Sequence, residues 1–146
     1  MVALVLIGVA VAVALVVERR RPDAPTAPRW AVPTQLDRAD FDRPESPWLV
    51  AVFTSATCDS CAGTLAKASV LASASVVVQE VEAARDADLH RRYGVDAVPM
   101  LVVADAEGVV RGSHVGPPTA ADLWAAVAEL REPGSTPPGC TDHDNV

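Results

Sequence analysis

Residues 48–61 read WLVAVFTSATCDSC, and they combine an apolar run with two cysteines three positions apart. The apolar run Trp48–Ser55 is typical of a central strand that is buried on both faces of its sheet. Cys58 and Cys61 follow this run, and the Ala-rich segment Cys61–Ala74 favours a helix. A Cys-x-x-Cys pair at the point where a strand leads into a helix indicates a redox dithiol rather than two unrelated structural cysteines.

The place of the two cysteines at a helix start gives them a chemical role. The first turn of a helix carries unsatisfied N–H groups and the positive end of the helix dipole, and both stabilise a thiolate. Cys58, nearer the helix tip, is expected to be the more exposed and more acidic thiol. Cys61, one turn inward, is expected to lie close enough to form a disulfide with it. Cys58 can then attack a substrate disulfide, and Cys61 can resolve the mixed disulfide.

The other segments between residues 30 and 131 alternate between strand and helix patterns. In chain order we predict a short strand at Trp30–Pro33, a helical turn at Asp37–Phe41, a strand at Ser75–Val81, a helix at Asp86–Tyr93, a hairpin of Met100–Ala104 and Val109–His114, and a capped helix at Thr119–Arg131. This order implies an α/β fold, in which a central mixed β-sheet is flanked by helices on both faces.

A second motif lies at residues 93–100, which read YGVDAVPM and lead into the strand Met100–Ala104. Pro99 is tolerated at the start of a strand, because the N–H that proline lacks is not needed there. The bond between Val98 and Pro99 is either an ordinary trans bond or a cis bond, and a native cis-proline is usually a specific structural feature.

Taken together, these motifs resemble the thioredoxin family over residues 30–131. The similarity lies in the Cys-x-x-Cys after a hydrophobic strand, the Tyr-Gly-Val-x-x-Val-Pro run, and a glycine-containing hairpin followed by a last helix. The resemblance implies a thioredoxin fold and a disulfide oxidoreductase with Cys58 as nucleophile and Cys61 as resolving thiol. It also implies that Pro99 is a cis-proline facing the dithiol and that Val98 offers its backbone to the bound substrate.

Several residues depart from the thioredoxin pattern. Thioredoxins carry Trp-Cys-Gly-Pro-Cys, whereas residues 57–61 of this chain read TCDSC. The family's buried acid, which assists proton transfer to the inner thiol, corresponds to Val52, and its partner lysine corresponds to Glu80. A hydrophobic Val52 needs no cation beside it, so the two changes are mutually consistent. Asp59 opposes a Cys58 thiolate by like charge, so we expect a less acidic Cys58 than in strongly oxidising relatives.

The two ends of the chain differ from the middle in composition. Residues 1–17 (MVALVLIGVAVAVALVV) hold no charged residue and predict a transmembrane anchor, with a cleaved signal peptide as the alternative. Residues 18–29 predict a Pro/Arg-rich linker, and residues 132–146 predict a disordered tail. Because arginines follow the apolar run and none precedes it, the positive-inside rule places the globular part in the cytoplasm, with an extracytoplasmic domain as the alternative.

Charge and cysteine usage exclude several classes of protein. The formal net charge of -7 argues against nucleic acid as a partner, and three cysteines are too few for a disulfide scaffold. A zinc site formed by the dithiol with Cys140 and His143 is the metal alternative. Because those two residues lie in a Pro/Gly-rich tail without the framing of a zinc site, a zinc site is not expected. No other feature of the sequence requires a metal or an organic cofactor, so neither is expected.

The leading hypothesis is a membrane-tethered thiol–disulfide oxidoreductase that reduces protein disulfides. Its partners would be protein disulfides or thiols, together with the lipid bilayer that the anchor enters. The alternative is a thioredoxin-like binding or scaffold module without turnover. That alternative is favoured by the loss of the buried acid at Val52 and of the Trp and Gly-Pro residues around the dithiol.

Overall fold

The structure, a computed structural model, describes residues 30–132 of the chain. A single 3-10 turn, Arg38–Asp40, precedes the main elements. These elements are β1 (Trp48–Thr54), α1 (Cys61–Ser69), β2 (Val76–Glu82), α2 (Ala87–Arg92), β3 (Met100–Ala104), β4 (Val110–Val115) and α3 (Ala120–Arg131).

The four strands form one mixed sheet in the order β2-β1-β3-β4. β1 pairs with β2 in parallel, so that Val52 lies opposite Glu80. It pairs with β3 antiparallel, so that Phe53 lies opposite Met100. The parallel pair is joined by the crossover helix α1 and the antiparallel pair β3–β4 by a hairpin, as each pairing requires. The predicted α/β architecture with a mixed sheet is confirmed.

Helices cover both faces of the sheet, which buries β1 on two sides. Every residue of β1 except Trp48 is buried. On one face, α1 and α3 pack over a cluster of Val50, Val52, Ala68, Val76, Leu101, Val103, Leu123 and Val127. On the other face, α2 and the segment before β1 pack over a cluster of Leu36, Phe41, Leu49, Ala51, Phe53, Val77, Val81, Val95, Met100, Val102 and Ala104. Alternate residues of β1 point to opposite clusters, as the period of a strand dictates.

The strand predicted at Trp30–Pro33 is wrong. The chain instead meets the sheet slightly later, where Gln35 and Val109 form an isolated antiparallel bridge. Leu36 N donates to Gly108 O at 2.8 Å, and this bond fastens the segment to the hairpin. Proline has no N–H to donate to a ladder, so a run that ends on one is poorly suited to strand pairing.

The helix predicted at Cys61–Ala74 is shorter in the structure and ends at Ser69. The Ser69 hydroxyl donates to Leu65 O at 2.8 Å, and serine side chains that bond the backbone in this way compete with helix propagation. The remaining predicted elements differ from the observed ones by at most one residue at either end.

The predicted anchor (residues 1–17) and linker (residues 18–29) lie outside the described residues, as does nearly all of the predicted tail. Within residues 30–132, no helix combines the length and the apolar character that crossing a bilayer requires.

Candidate redox site

The loop between β1 and α1 presents the two cysteines at one end of the sheet. β1 ends at Thr54, and Cys58 N then donates to Ser55 O at 3.1 Å, which closes a turn directly after the strand. Cys61 N donates to Cys58 O at 3.2 Å, and α1 begins at Cys61. Two consecutive tight turns therefore carry the chain from a buried strand into a helix and hold Cys58 at the strand end.

Cys58 and Cys61 form a disulfide, with their sulfur atoms 2.15 Å apart and their Cα atoms 5.4 Å apart. Cys61 is 3% exposed, whereas Cys58 is partly exposed. The predictions that the two thiols can join and that Cys58 is the more exposed are confirmed. This asymmetry suits disulfide exchange, because only the more accessible sulfur can be reached by another protein. The catalytic roles of the two residues stay predictions.

α1 begins at Cys61, the residue at which the sequence predicts the helix to start. Cys58 lies two residues before the N-cap residue Ser60 and so precedes the helix. The Ser60 side chain makes no cap hydrogen bond, and its hydroxyl lies 3.7 Å from Cys58 Sγ. Because a disulfide sulfur carries no hydrogen, the Ser60 hydroxyl is the donor in this contact. Ser60 is a site residue that sequence reasoning missed.

Pro99 and Val98 lie at the same end of the sheet as the dithiol. β3 begins at Met100, opposite Phe53 near the end of β1, so the residues before β3 adjoin the loop after β1. The Val98–Pro99 bond is cis, which settles the alternative left open by the sequence. Pro99 is buried and its carbonyl accepts a hydrogen bond from Gly116 N at 2.8 Å. That Val98 and Pro99 bind substrate stays a prediction.

The inner side of the site is hydrophobic where the family has an acid. Val52 is fully buried in the cluster beneath α1. Glu80, its register partner on β2, accepts a hydrogen bond from the Thr54 hydroxyl at 2.8 Å and lies 3.6 Å from the Arg85 guanidinium. The carboxylate of Glu80 is therefore satisfied by a hydroxyl and a cation, and the predicted placement of Glu80 beside Val52 is confirmed.

A second carboxylate, that of Glu82, reaches into the loop that carries Cys58. Its Oε1 accepts a hydrogen bond from Ala56 N at 3.1 Å, and its Oε2 accepts from Ala84 N at 2.9 Å and from Arg85 N at 2.8 Å. The bond from Arg85 N is the largest influence on the pKa of Glu82. Together with the bonds from Ala56 and Ala84, it outweighs partial burial and lowers that pKa below its ordinary value. Sequence reasoning missed Glu82, because nothing local marks it.

Within residues 30–132, no group of three or more His, Cys, Asp or Glu side chains is arranged to hold a metal ion. Cys140 and His143, the two further ligands of the zinc alternative, lie outside the described residues.

Comparison with known proteins shows which solved structures have a similar fold. No family model and no curated protein matches the chain. Among solved structures, the germline-specific thioredoxin Deadhead of Drosophila melanogaster is 22% identical with a TM-score of 0.53, and the match covers 60% of this chain and 84% of that one. Mitochondrial thioredoxin 3 of Saccharomyces cerevisiae is 20% identical with a TM-score of 0.51, covering 60% and 82%. A thioredoxin mutant from Halobacterium salinarum is 22% identical with a TM-score of 0.51, covering 60% and 76%.

At sequence identities this low, the structural similarity establishes a shared fold and nothing more. The four-stranded mixed sheet, the dithiol at the start of α1 and the cis-proline before β3 stand in the order that the sequence resemblance implied. Residues 30–132 thus have the thioredoxin fold.

Proposed function

We propose that this chain is a membrane-tethered thiol–disulfide oxidoreductase that reduces protein disulfides. The observation that carries the proposal is the Cys58–Cys61 disulfide, in which one sulfur is accessible and the other is buried at the start of a helix. A pair so placed can alternate between a dithiol and a disulfide while the surrounding fold stays the same.

The proposed reaction needs only the two sulfurs and a substrate disulfide. The Cys58 thiolate attacks one substrate sulfur, a mixed disulfide forms, and the other substrate sulfur leaves as a thiolate. The Cys61 thiol then gives up its proton and attacks Cys58 Sγ, which releases the second substrate thiolate. The substrate gains two electrons, and the protein is left with the Cys58–Cys61 disulfide, which a cellular dithiol must reduce for the next cycle. Val98 and Pro99 would receive the substrate backbone at the same end of the sheet.

The reducing direction is supported by the charge beside the dithiol. Asp59 is exposed and follows Cys58 directly in the chain. Its carboxylate disfavours a neighbouring thiolate, whereas strongly oxidising dithiols owe their potential to a stabilised thiolate in the reduced form. A dithiol whose reduced form is less stabilised gives up its electrons more readily.

The tether is supported by the apolar residues 1–17 and by the linker that follows them. Confinement to a membrane raises the effective concentration of the domain for substrates in the same membrane. A cytoplasmic domain is supported by the arginines that follow the apolar run. Labelling the reduced protein in intact cells with a membrane-impermeant thiol reagent tests this orientation, and labelling before lysis would contradict it.

Reduction of insulin with dithiothreitol as electron donor tests the redox activity. The wild-type chain should accelerate insulin reduction, Cys58→Ser should abolish the acceleration, and Cys61→Ser should accumulate a mixed disulfide with its substrate. Cys140→Ser is the matched control, since it also removes one thiol but leaves the dithiol intact. If wild type and Cys58→Ser behave alike, the scaffold alternative, which the fully buried Val52 favours, replaces this proposal.

A further inference from the structure

We infer that Glu82 is a positioning residue that holds the loop carrying Cys58, an inference that rests on the function proposed above. The juxtaposition behind it is one carboxylate that accepts hydrogen bonds from two different loops. Oε1 bonds Ala56 in the β1–α1 loop, and Oε2 bonds Ala84 and Arg85 in the β2–α2 loop.

The residue that Glu82 holds lies inside the turn that presents the attacking sulfur. That turn runs from Ser55 to Cys58 and is closed by the bond from Cys58 N to Ser55 O. Ala56 is its second residue, and Ala56 N points outward to Glu82. A shift of Ala56 therefore shifts Cys58, which follows two residues later in the same turn.

The hydrogen bonds by which Glu82 joins the two loops, here called the Glu82 clamp, matter most once the disulfide has been reduced. In the oxidised protein the Cys61 sulfur holds Cys58 covalently. Reduction removes that bond, and Cys58 lies before the first residue of α1. What remains are two backbone bonds, from Cys58 N to Ser55 O and from Cys61 N to Cys58 O, and the contact between the two loops. Holding a nucleophile near its attack geometry lowers the entropy that the reaction must lose.

The two loops are also joined through the backbone, which sets the geometry of the clamp. Ala83 N donates to Thr54 O at 2.9 Å, so the chain just after β2 is already fastened to the end of β1. Glu82 extends this fastening by one more contact along the loop toward Cys58. The Glu82 carboxylate is ionised at neutral pH, as an ordinary glutamate is, and its hydrogen bonds lower its pKa further. An ionised acceptor makes a stronger hydrogen bond than a neutral amide oxygen.

The test compares Glu82→Gln and Glu82→Ala with the matched control Glu107→Gln, which removes the same charge from the hairpin at the far end of β3. All of these proteins also carry Cys140→Ser, so that the dithiol supplies the reacting thiols. The reduced full-length proteins react with dipyridyl disulfide, an uncharged reagent, over a range of pH. Above the thiol pKa the rate reaches a plateau that reports how well a formed thiolate is placed. We expect that plateau to fall about 10-fold in Glu82→Ala and less in Glu82→Gln, which keeps one acceptor oxygen, and to be unchanged in Glu107→Gln.

A second measurement is independent of activity. Amide hydrogen exchange at Ala56, followed by NMR in the oxidised and reduced proteins, should be about 10-fold faster in Glu82→Gln than in wild type. An unchanged plateau or unchanged exchange at Ala56 overturns the inference while the proposed redox function stands. A wild-type protein that does not react with the disulfide at all overturns the proposed function, and the inference with it. If Glu82→Ala does not fold, Glu82→Gln alone decides.

Discussion

At the scale of single residues, Val52 shows how a site can keep its geometry and change its proton chemistry. The side chain is fully buried between β1 and α1, in the cluster that also holds Ala68 and Leu101. No ionisable group at this position can accept a proton from Cys61. The neighbouring Glu80 instead accepts a hydrogen bond from the Thr54 hydroxyl and forms an ion pair with Arg85.

The first prediction restores an acid at this position. Val52→Asp should lower the free energy of unfolding by about 3 kcal/mol or more, because a carboxylate would be buried in an apolar cluster with Glu80 as its register partner. Adding Glu80→Lys should recover part of that loss, since it exchanges a like charge for an opposite one. In the wild-type background Glu80→Lys should not stabilise.

Urea unfolding of the four proteins checks this prediction as a double-mutant cycle. The cycle would contradict it if Glu80→Lys had the same effect on stability in both backgrounds. Such an outcome would mean that side chains at positions 52 and 80 do not interact across the β1–β2 pair.

At the scale of elements, the β3–β4 hairpin is held by one aspartate. The Asp105 carboxylate accepts hydrogen bonds from Glu107 N at 3.1 Å, from Val109 N at 2.9 Å and from Arg111 Nε at 2.6 Å. Partial burial raises the pKa of Asp105, but these bonds, led by that of Arg111, outweigh it and lower the pKa. The hairpin turn is therefore tied to the strand that follows it and presents Gly108 to the segment before β1.

The second prediction concerns that glycine. Gly108 has φ +78°, and a Cβ at this position would lie 2.0 Å from Leu36 O. Gly108→Ala should therefore cost more than about 3 kcal/mol, because the backbone of the docked segment cannot yield as a side chain can. Gly94→Ala is the control: its φ is +63°, but no atom lies within 4 Å of the added Cβ.

For Gly94→Ala we expect a cost of about 1 kcal/mol, from the left-handed backbone alone. Denaturant unfolding of both variants checks the difference. Equal losses would mean that the contact between Gly108 and Leu36 contributes nothing beyond backbone strain.

At the scale of the whole molecule, Tyr93 joins parts of the chain that are distant in sequence. Its hydroxyl donates to Asp40 Oδ2 and accepts from Asp37 N at 3.0 Å, which ties the segment before β1 to the end of α2. Its ring packs against Phe41 and Phe53. Burial, with the hydrogen bond to Asp40, raises the pKa of Tyr93 to about 12.

The third prediction follows from this pKa. A folded-state pKa above the unfolded value of about 10 means that the folded protein holds the proton more tightly. The stability from Tyr93 is therefore complete below about pH 10 and is lost as the pH rises from about 10 to about 12. Tyr93→Phe should cost about 1 kcal/mol at neutral pH and should remove this alkaline loss.

Tyr93 is the only tyrosine in the chain, so tyrosinate absorbance in the folded protein reports its titration alone. Denaturant unfolding of wild type and Tyr93→Phe at neutral and alkaline pH then shows directly how far the titration of Tyr93 changes the free energy of unfolding. A parallel decline of stability in both proteins would assign the alkaline loss to other groups.

The sequence alone determined the order of the elements and the place of the dithiol, because these depend on local patterns. The apolar run Trp48–Ser55, the cysteines after it and the glycine of the hairpin act over a few residues. The structure has β1, the start of α1 and the hairpin where these patterns predict them. The thioredoxin fold followed from the spacing of those motifs along the chain. The strand predicted at Trp30–Pro33 is wrong, because strand pairing needs a partner strand that a local pattern does not identify.

The surroundings of the dithiol depend on tertiary contacts that local sequence patterns do not encode. Glu82 and Ala56 are far apart in sequence, as are Thr54 and Glu80, and each pair meets because β1 and β2 lie side by side in one register. Cys61 is buried, whereas Cys58 is partly exposed at the end of the sheet where the cis-proline loop also lies. Contacts of this kind depend on how strands are ordered in the sheet, and a residue's own neighbours along the chain carry no record of that order.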